Sequence, residues 1–268
     1  MISFVGAGPG AADLVTLRAA DRLRGADVVV WASSLVPEAV LDHARPGALL
    51  LDSASMTLED VLAVYDANPD AAIVRLHSGD PSLYGAIAEQ IAWCVERGRP
   101  WEIVPGVSSV SAAAAAIGRE LTVPGLSQSV VLTRLPGRTA GSVPAGESVA
   151  AYAAVGGTLA VFLSAARPTE LQAELLGPSS VFGPETPAAI VIRASWPDER
   201  VVRTTVGRLA DDLMATGATM TVLVLVGEAL RDGAPPARSH LYEPMYAHTF
   251  RKRSAPGTTT GRPARRPR

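Results

Sequence analysis

Two stretches decide the fold of this chain: Ile2-Ser3-Phe4-Val5-Gly6-Ala7-Gly8-Pro9-Gly10 and, about seventy residues on, Ile73-Val74-Arg75-Leu76-His77-Ser78-Gly79-Asp80-Pro81-Ser82-Leu83-Tyr84-Gly85. Each is a short apolar, β-branched run that stops in glycines and leads toward helical spacing. In an open α/β sheet, ligands bind where such strand ends cluster. Glycine there lets a ligand approach the backbone, and Asp80 adds a carboxylate. Two such loops point to one shared ligand.

Working outward, Val28–Trp31, Leu49–Leu51 and Trp101–Val104 read as further strands of the first half. Leu14, Leu17, Ala20 and Leu23 recur at helical spacing, and Tyr84–Arg97 reads as a helix stopped by Gly98. Alternating strands and helices indicate a mainly parallel sheet covered on both faces. Pro105-Gly106-Val107-Ser108-Ser109 turns into the alanine-rich Ala112–Ala116, with the serines as helix N-caps.

In the second half, strands are expected at Ser129–Leu132, Thr158–Leu163, Ala188–Ile192, Val201–Thr205 and Thr221–Val226. Helices are expected near Thr169–Leu175 and Leu209–Thr216. The closer strand spacing implies antiparallel pairing and a mixed sheet. The expected organisation is two α/β domains, residues 1–122 and 127–247, with Gly137–Gly146 as a surface loop. Residues 248–268, rich in Pro, Thr and Arg, read as a disordered basic tail.

Composition narrows the function classes. The chain has 268 residues, 48% of them hydrophobic and only 5% aromatic, so Ala, Val and Leu must fill the core. The net charge of −2 hides an asymmetry. Seven of the 24 basic residues lie from Arg251 on with no acidic residue among them, leaving 17 basic against 26 acidic side chains in residues 1–250. That body does not suit a nucleic-acid partner. No apolar run approaches the ~20 residues that cross a bilayer, no signal peptide is evident, and Cys94 is the sole cysteine. A cytoplasmic protein with no membrane partner is expected. Lys252 is the sole lysine, which leaves arginines as the cations for gripping carboxylates.

The first loop can be written Gly6-x-Gly8-x-x-Ala11, a variant of the dinucleotide fingerprint. Pro9 lacks the amide hydrogen a pyrophosphate would use. No acidic residue follows the second strand, which ends Val30-Trp31-Ala32-Ser33-Ser34. A nicotinamide site, another ligand and a plain turn all remain open on this motif. Asp80 reads either as an Asx-turn residue or as a carboxylate at a ligand cleft. His43, His77, His240 and His248 form no metal-ligand spacing with one another or with Cys94, so no metal is expected. His77 adjoins the second loop, as a ligand contact or a structural hydrogen-bonder.

Together these motifs resemble the tetrapyrrole methylase family. The resemblance rests on Val5-Gly6-Ala7-Gly8-Pro9-Gly10, Gly79-Asp80-Pro81, Val104-Pro105-Gly106-Val107-Ser108-Ser109 and Thr158-Leu159-Ala160-Val161-Phe162-Leu163 in that order. It covers residues 1–250. Ala32-Ser33-Ser34-Leu35-Val36-Pro37, Leu121-Thr122-Val123-Pro124, Ser127–Arg134 and Ser239–Pro244 are most similar to the members that methylate C-11 of precorrin-4. Ser33 departs from the glycine usual there.

The resemblance implies a two-domain, non-Rossmann fold that holds S-adenosylmethionine, the methyl donor, between its domains, and a homodimer. Pro9, Ser78, Gly79, Asp80, Leu83, Ser108, Ser109, Leu163, Ala194 and Met220 would line the cofactor pocket, with Asp80 the catalytic candidate. Arg134 and Arg138 would bind carboxylates of the precorrin substrate. Other readings are methylation of another precorrin position or of uroporphyrinogen, a non-catalytic cofactor- or tetrapyrrole-binding module, and an oxidoreductase.

Overall fold

The computed structural model describes residues 1–136, 141, 143–144, 146–232 and 238–264. The first half builds β1 (Ile2–Gly6), α1 (Leu17–Arg24), β2 (Val28–Trp31), β3 (Leu49–Asp52), α2 (Leu58–Ala67), β4 (Ile73–His77), α3 (Ala88–Glu96), β5 (Trp101–Val104) and α4 (Ser109–Ala116). The strands form one parallel sheet in the order β3-β2-β4-β1-β5. Their carboxyl ends therefore share one edge, the edge where open α/β sheets bind ligands.

Alternation along each strand divides the core. Val5, Val29, Val74 and Leu76 pack with Ala19 and Leu23 of α1. Phe4, Val28, Val30 and Ile73 face Val61 and Tyr65 of α2 and Trp93 and Cys94 of α3.

The second half contains β6 (Val130–Arg134), α5 (Val149–Val155), β7 (Thr158–Phe162), α6 (Pro168–Leu175), β8 (Pro187–Ile192), β9 (Arg200–Thr205), α7 (Leu209–Ala215) and β10 (Val222–Val226). Its sheet runs β6-β7-β10-β8-β9, with β6 and β7 parallel and the remaining pairs antiparallel. One face buries Leu159, Val161, Ile190 and Val224 under α5, α6 and α7. The other face is covered by α4, whose Val110, Ala112 and Ala113, with Ile117 capping its end, pack on Ala160, Val191 and Leu223. The alanines allow this close approach, so a helix from the first half closes the second sheet.

Two elements depart from expectation. The helix read as Tyr84–Arg97 is α3, starting at Ala88. Tyr84 and Ala86 take positive φ values of 58° and 50°, which no α-helix accommodates. The C-terminal segment, expected to be disordered, pairs β11 (Arg251–Lys252) with β12 (Arg262–Pro263). Arg251 Nη2 donates to the carbonyls of Glu243 (2.9 Å) and Tyr246 (3.1 Å), and Ser254 is buried, which together pin the segment.

Candidate functional site

Three glycine loops, following β1, β4 and β5, meet at the carboxyl edge of the first sheet. Ala7 N–H donates to the His77 carbonyl at 2.7 Å. Gly8 and Gly79 exchange backbone bonds, Gly8 N–H to Gly79 O at 3.3 Å and Gly79 N–H to Gly8 O at 2.7 Å. The two motifs that open the sequence reading are thus directly paired. The third loop packs on both: a Cβ at Gly6 would lie 2.5 Å from Gly106 Cα and 2.6 Å from Gly79 O.

Asp80 ties this junction. Its Oδ2 accepts Gly106 N–H at 2.9 Å and its Oδ1 accepts Ser82 N–H at 2.8 Å. Both oxygens therefore hold backbone, and the carboxylate fixes the β4 and β5 loops relative to each other. Ser108 caps α4 by accepting Val110 N–H at 3.3 Å.

The second half closes over this edge with a strap at residues 193–199. Trp196 Nε1 donates to Pro9 O and Ala11 N–H donates to Ser195 Oγ, each at 3.0 Å. Gly10 packs closely on the Trp196 indole, where an added Cβ would lie 2.2 Å from Cδ1, and the Arg193 guanidinium covers that ring at 3.8 Å. The sequence motifs contain no signal for this strap, because its contacts join residues about 185 positions apart.

Between the halves lies a cavity of about 420 Å³, a size suited to a small-molecule ligand. Nine of the ten residues expected to hold a cofactor line it: Pro9, Ser78, Gly79, Asp80, Leu83, Ser108, Ser109, Leu163 and Ala194. Met220 does not; its neighbours Thr219 and Thr221 do, while Met220 is 63% exposed. Arg134, at the end of β6, is not in the lining, though its charge acts on Tyr84. Arg138 lies outside the described residues.

Several lining residues escaped the sequence reading, Tyr84 and Thr221 among them. Both share left-handed backbone, φ 53–58°, with the expected Leu163 at the cavity wall. Strain of this kind gathers at ligand sites. The Tyr84 and Phe162 rings meet across the two halves at 5.1 Å. Burial raises the Tyr84 phenol above its usual range, against the pull of Arg134. Ala32 and Leu35 extend the wall under the loop that Ser33 closes by donating its N–H and Oγ–H to Asp52, at 3.0 and 2.6 Å. Arg75 also lines the cavity.

His77 forms part of the wall with its ring against Phe4 at 6.2 Å. It is 8% exposed, and its Nε2 is buried without a partner. Burial first, and the Arg75 charge second, push its pKa down to about 3. The ring is neutral throughout the physiological range. The unfolded chain binds that proton near pH 6.5, so stability falls as pH drops through the window from about 6.5 to about 3. Replacing His77 with Phe should remove roughly 2 kcal/mol of pH dependence between pH 6.5 and 4.5. Urea unfolding of both proteins across that range checks it; parallel curves would mean that the native ring takes up the proton.

The chain can be set beside known proteins at this point. The sequence profile of the tetrapyrrole (corrin/porphyrin) methylases matches residues 1–210. A precorrin-4 C(11)-methyltransferase from a Sinorhizobium species is 42% identical over 254 residues, covering 94% of this chain and 98% of the relative. The X-ray structure of a cobalamin biosynthetic enzyme, cobalt-precorrin-4 methyltransferase, superimposes with a TM-score of 0.81 at 40% identity, covering 86% of this chain and 95% of that one. The uroporphyrin-III C-methyltransferase of Thermus thermophilus, complexed with S-adenosylhomocysteine, gives 0.69 at 28% identity and covers 85% and 98%. With its paired glycine loops, its strap and these matches, this chain belongs to the tetrapyrrole methylase family.

Proposed function

We propose that this protein is an S-adenosylmethionine-dependent methyltransferase that acts on C-11 of precorrin-4 in cobalamin biosynthesis. One observation carries the reading: a cavity walled by all three glycine loops and by the second sheet, in a chain 42% identical over nearly its full length to a precorrin-4 C(11)-methyltransferase.

The wall fits the cofactor. Ser78, Gly79, Ser108 and Ser109 offer polar and close backbone contacts, and Leu83, Leu163 and Ala194 offer apolar ones. Asp80 and the faces of Tyr84 and Phe162 favour a positive charge nearby. When bound, S-adenosylmethionine supplies an electrophilic methyl group on a cationic sulfur.

The task left to the protein is alignment and exclusion of water. Asp80 fixes the loop junction through Gly106 and Ser82, and the Trp196 strap holds the Pro9 loop beneath the second half. The ring carbon is itself the nucleophile, so no side chain needs to form a covalent intermediate. Arg134, outside the cavity lining, and Arg138 remain the proposed carboxylate contacts, and Met220 sits beside the lining residues Thr219 and Thr221.

No helix among the described residues is long and apolar enough to cross a membrane. The reading places the enzyme in the cytoplasm as a homodimer, with its substrate either metal-free or cobalt-loaded. Purified protein incubated with S-adenosylmethionine and enzymatically generated precorrin-4, in both forms, tests it. A product heavier by one methyl group is expected, and the preferred form identifies the substrate. Cofactor binding with neither form methylated would reject the substrate.

A further inference from the structure

Arg75 is a charge where the pattern of the sheet calls for an apolar residue. It occupies the middle of β4, an inner strand, between β2 and β1. Its neighbours Val74 and Leu76 turn to one core, and Ile73 on its own face belongs to the other. Its hydrogen bonds leave from Nη1 alone, to Ser53 Oγ at 2.9 Å and to the Val30 carbonyl at 3.3 Å. Both acceptors are neutral. Nε is buried with no acceptor. Among the described residues no carboxylate pairs with this guanidinium, and burial pulls its pKa below the usual arginine value.

The atoms left over have a defined geometry. Nε and Nη2 form the side of the guanidinium that takes a carboxylate with two parallel bonds. Arg22 of α1 shows the filled form: its Nε and Nη2 both donate to Glu102 of β5. Arg75 lines the cavity beside the neutral His77, and no carboxylate among the described residues sits on its guanidinium. A buried charge without a counter-ion costs folding energy unless a ligand supplies one.

We propose that Arg75 is a carboxylate-binding residue of the cavity, its guanidinium donating to one carboxylate of the bound reactants. The inference rests on the proposed function and names the residue that orients a reactant within that site. Two reactants carry this chemistry: the acetate and propionate arms of the tetrapyrrole, and the amino-acid carboxylate of the cofactor.

The test uses the full-length wild type and the variants Arg75→Gln, Arg75→Lys and Ser53→Ala. Three quantities are read: Kd for S-adenosylhomocysteine by calorimetry, Kd for uroporphyrin (a stable carboxylate-bearing tetrapyrrole) by quenching of tryptophan fluorescence, and kcat and KM on precorrin-4. Loss of a buried charge partner should weaken the affected ligand at least ~30-fold in Arg75→Gln, with part recovered in Arg75→Lys. If the tetrapyrrole supplies the carboxylate, uroporphyrin Kd and KM rise while kcat stays within about threefold and S-adenosylhomocysteine binds as before. If the cofactor supplies it, S-adenosylhomocysteine Kd rises instead.

The thermal midpoint without ligand should not fall in Arg75→Gln, whereas a structural role would lower it together with kcat and both affinities. Ser53→Ala, which removes one of two anchors, should weaken the same ligand about threefold to tenfold. Unchanged affinity for both ligands in Arg75→Gln, or in Ser53→Ala should Arg75→Gln fail to fold, overturns the proposal. Absence of turnover by the wild type would instead reject the function, while the two binding measurements still decide the role of Arg75.

Discussion

Replacing Gly106 with alanine is expected to abolish measurable S-adenosylhomocysteine binding, a loss of at least ~10²-fold, and to destabilise the fold by about 3 kcal/mol. A Cβ there would overlap the Gly79 carbonyl and lie 2.7 Å from Gly6 Cα. Both obstacles are backbone, and both belong to loops already hydrogen-bonded to each other. No side chain can swing aside, so the three strand ends must separate and the floor of the cavity with them. Gly183→Ala is the control: nothing lies within 4 Å of its added Cβ, and stability and affinity should stay near wild type. Calorimetric titration and urea unfolding read both effects. Wild-type affinity in Gly106→Ala would mean that the loop junction does not shape the site.

The second large effect is expected at Asp80. Asp80→Ala removes the acceptor for two backbone amides, and Asp80→Asn turns an NH₂ group toward one of them. Hydrogen bonds to a charged acceptor are worth roughly 1.5–3 kcal/mol each. Both variants should therefore lower turnover at least ~10²-fold and, because the loops they release line the cavity, weaken S-adenosylhomocysteine as well. A carboxylate acting only on the reacting groups would behave differently: kcat would fall while the product cofactor, with its neutral sulfur, bound normally. The two readouts together distinguish a positioning residue from a catalytic one.

Much of this architecture is legible in the residues. Short apolar runs rich in β-branched residues mark β1, β2, β4, β7, β8 and β10, because a strand buried on both faces needs a mostly apolar segment. The glycine loops are legible for the same local reason. The helix α2 is signalled by the capping box Thr57-Leu58-Glu59-Asp60, in which Thr57 and Asp60 exchange bonds of 3.2 and 2.9 Å, yet the reading by apolar spacing passes over it. It passes over α5 too, capped by Ser148.

Other features cannot be read locally. Tyr84 and Ala86 give no hint of left-handed backbone, since their residue types avoid it and the surrounding packing imposes it. Trp196 looks like any aromatic until the fold brings it onto Gly10. Arg75 carries a visible signal, a charge inside the apolar run Ile73–Leu76, but only the cavity gives it meaning. Eight of the expected cofactor residues fall on the wall with motifs that end at strand carboxyl ends; of the two carried over where the surrounding motif is loose, Ala194 falls on the wall and Met220 beside it.

The most direct test of the central claim is the position of the transferred methyl group. With S-adenosylmethionine labelled with ¹³C in the methyl group and precorrin-4 as acceptor, the NMR spectrum of the product should show the label on a carbon bonded to C-11 and nowhere else on the macrocycle. Label at another ring position, or on a carboxylate oxygen, would contradict the account.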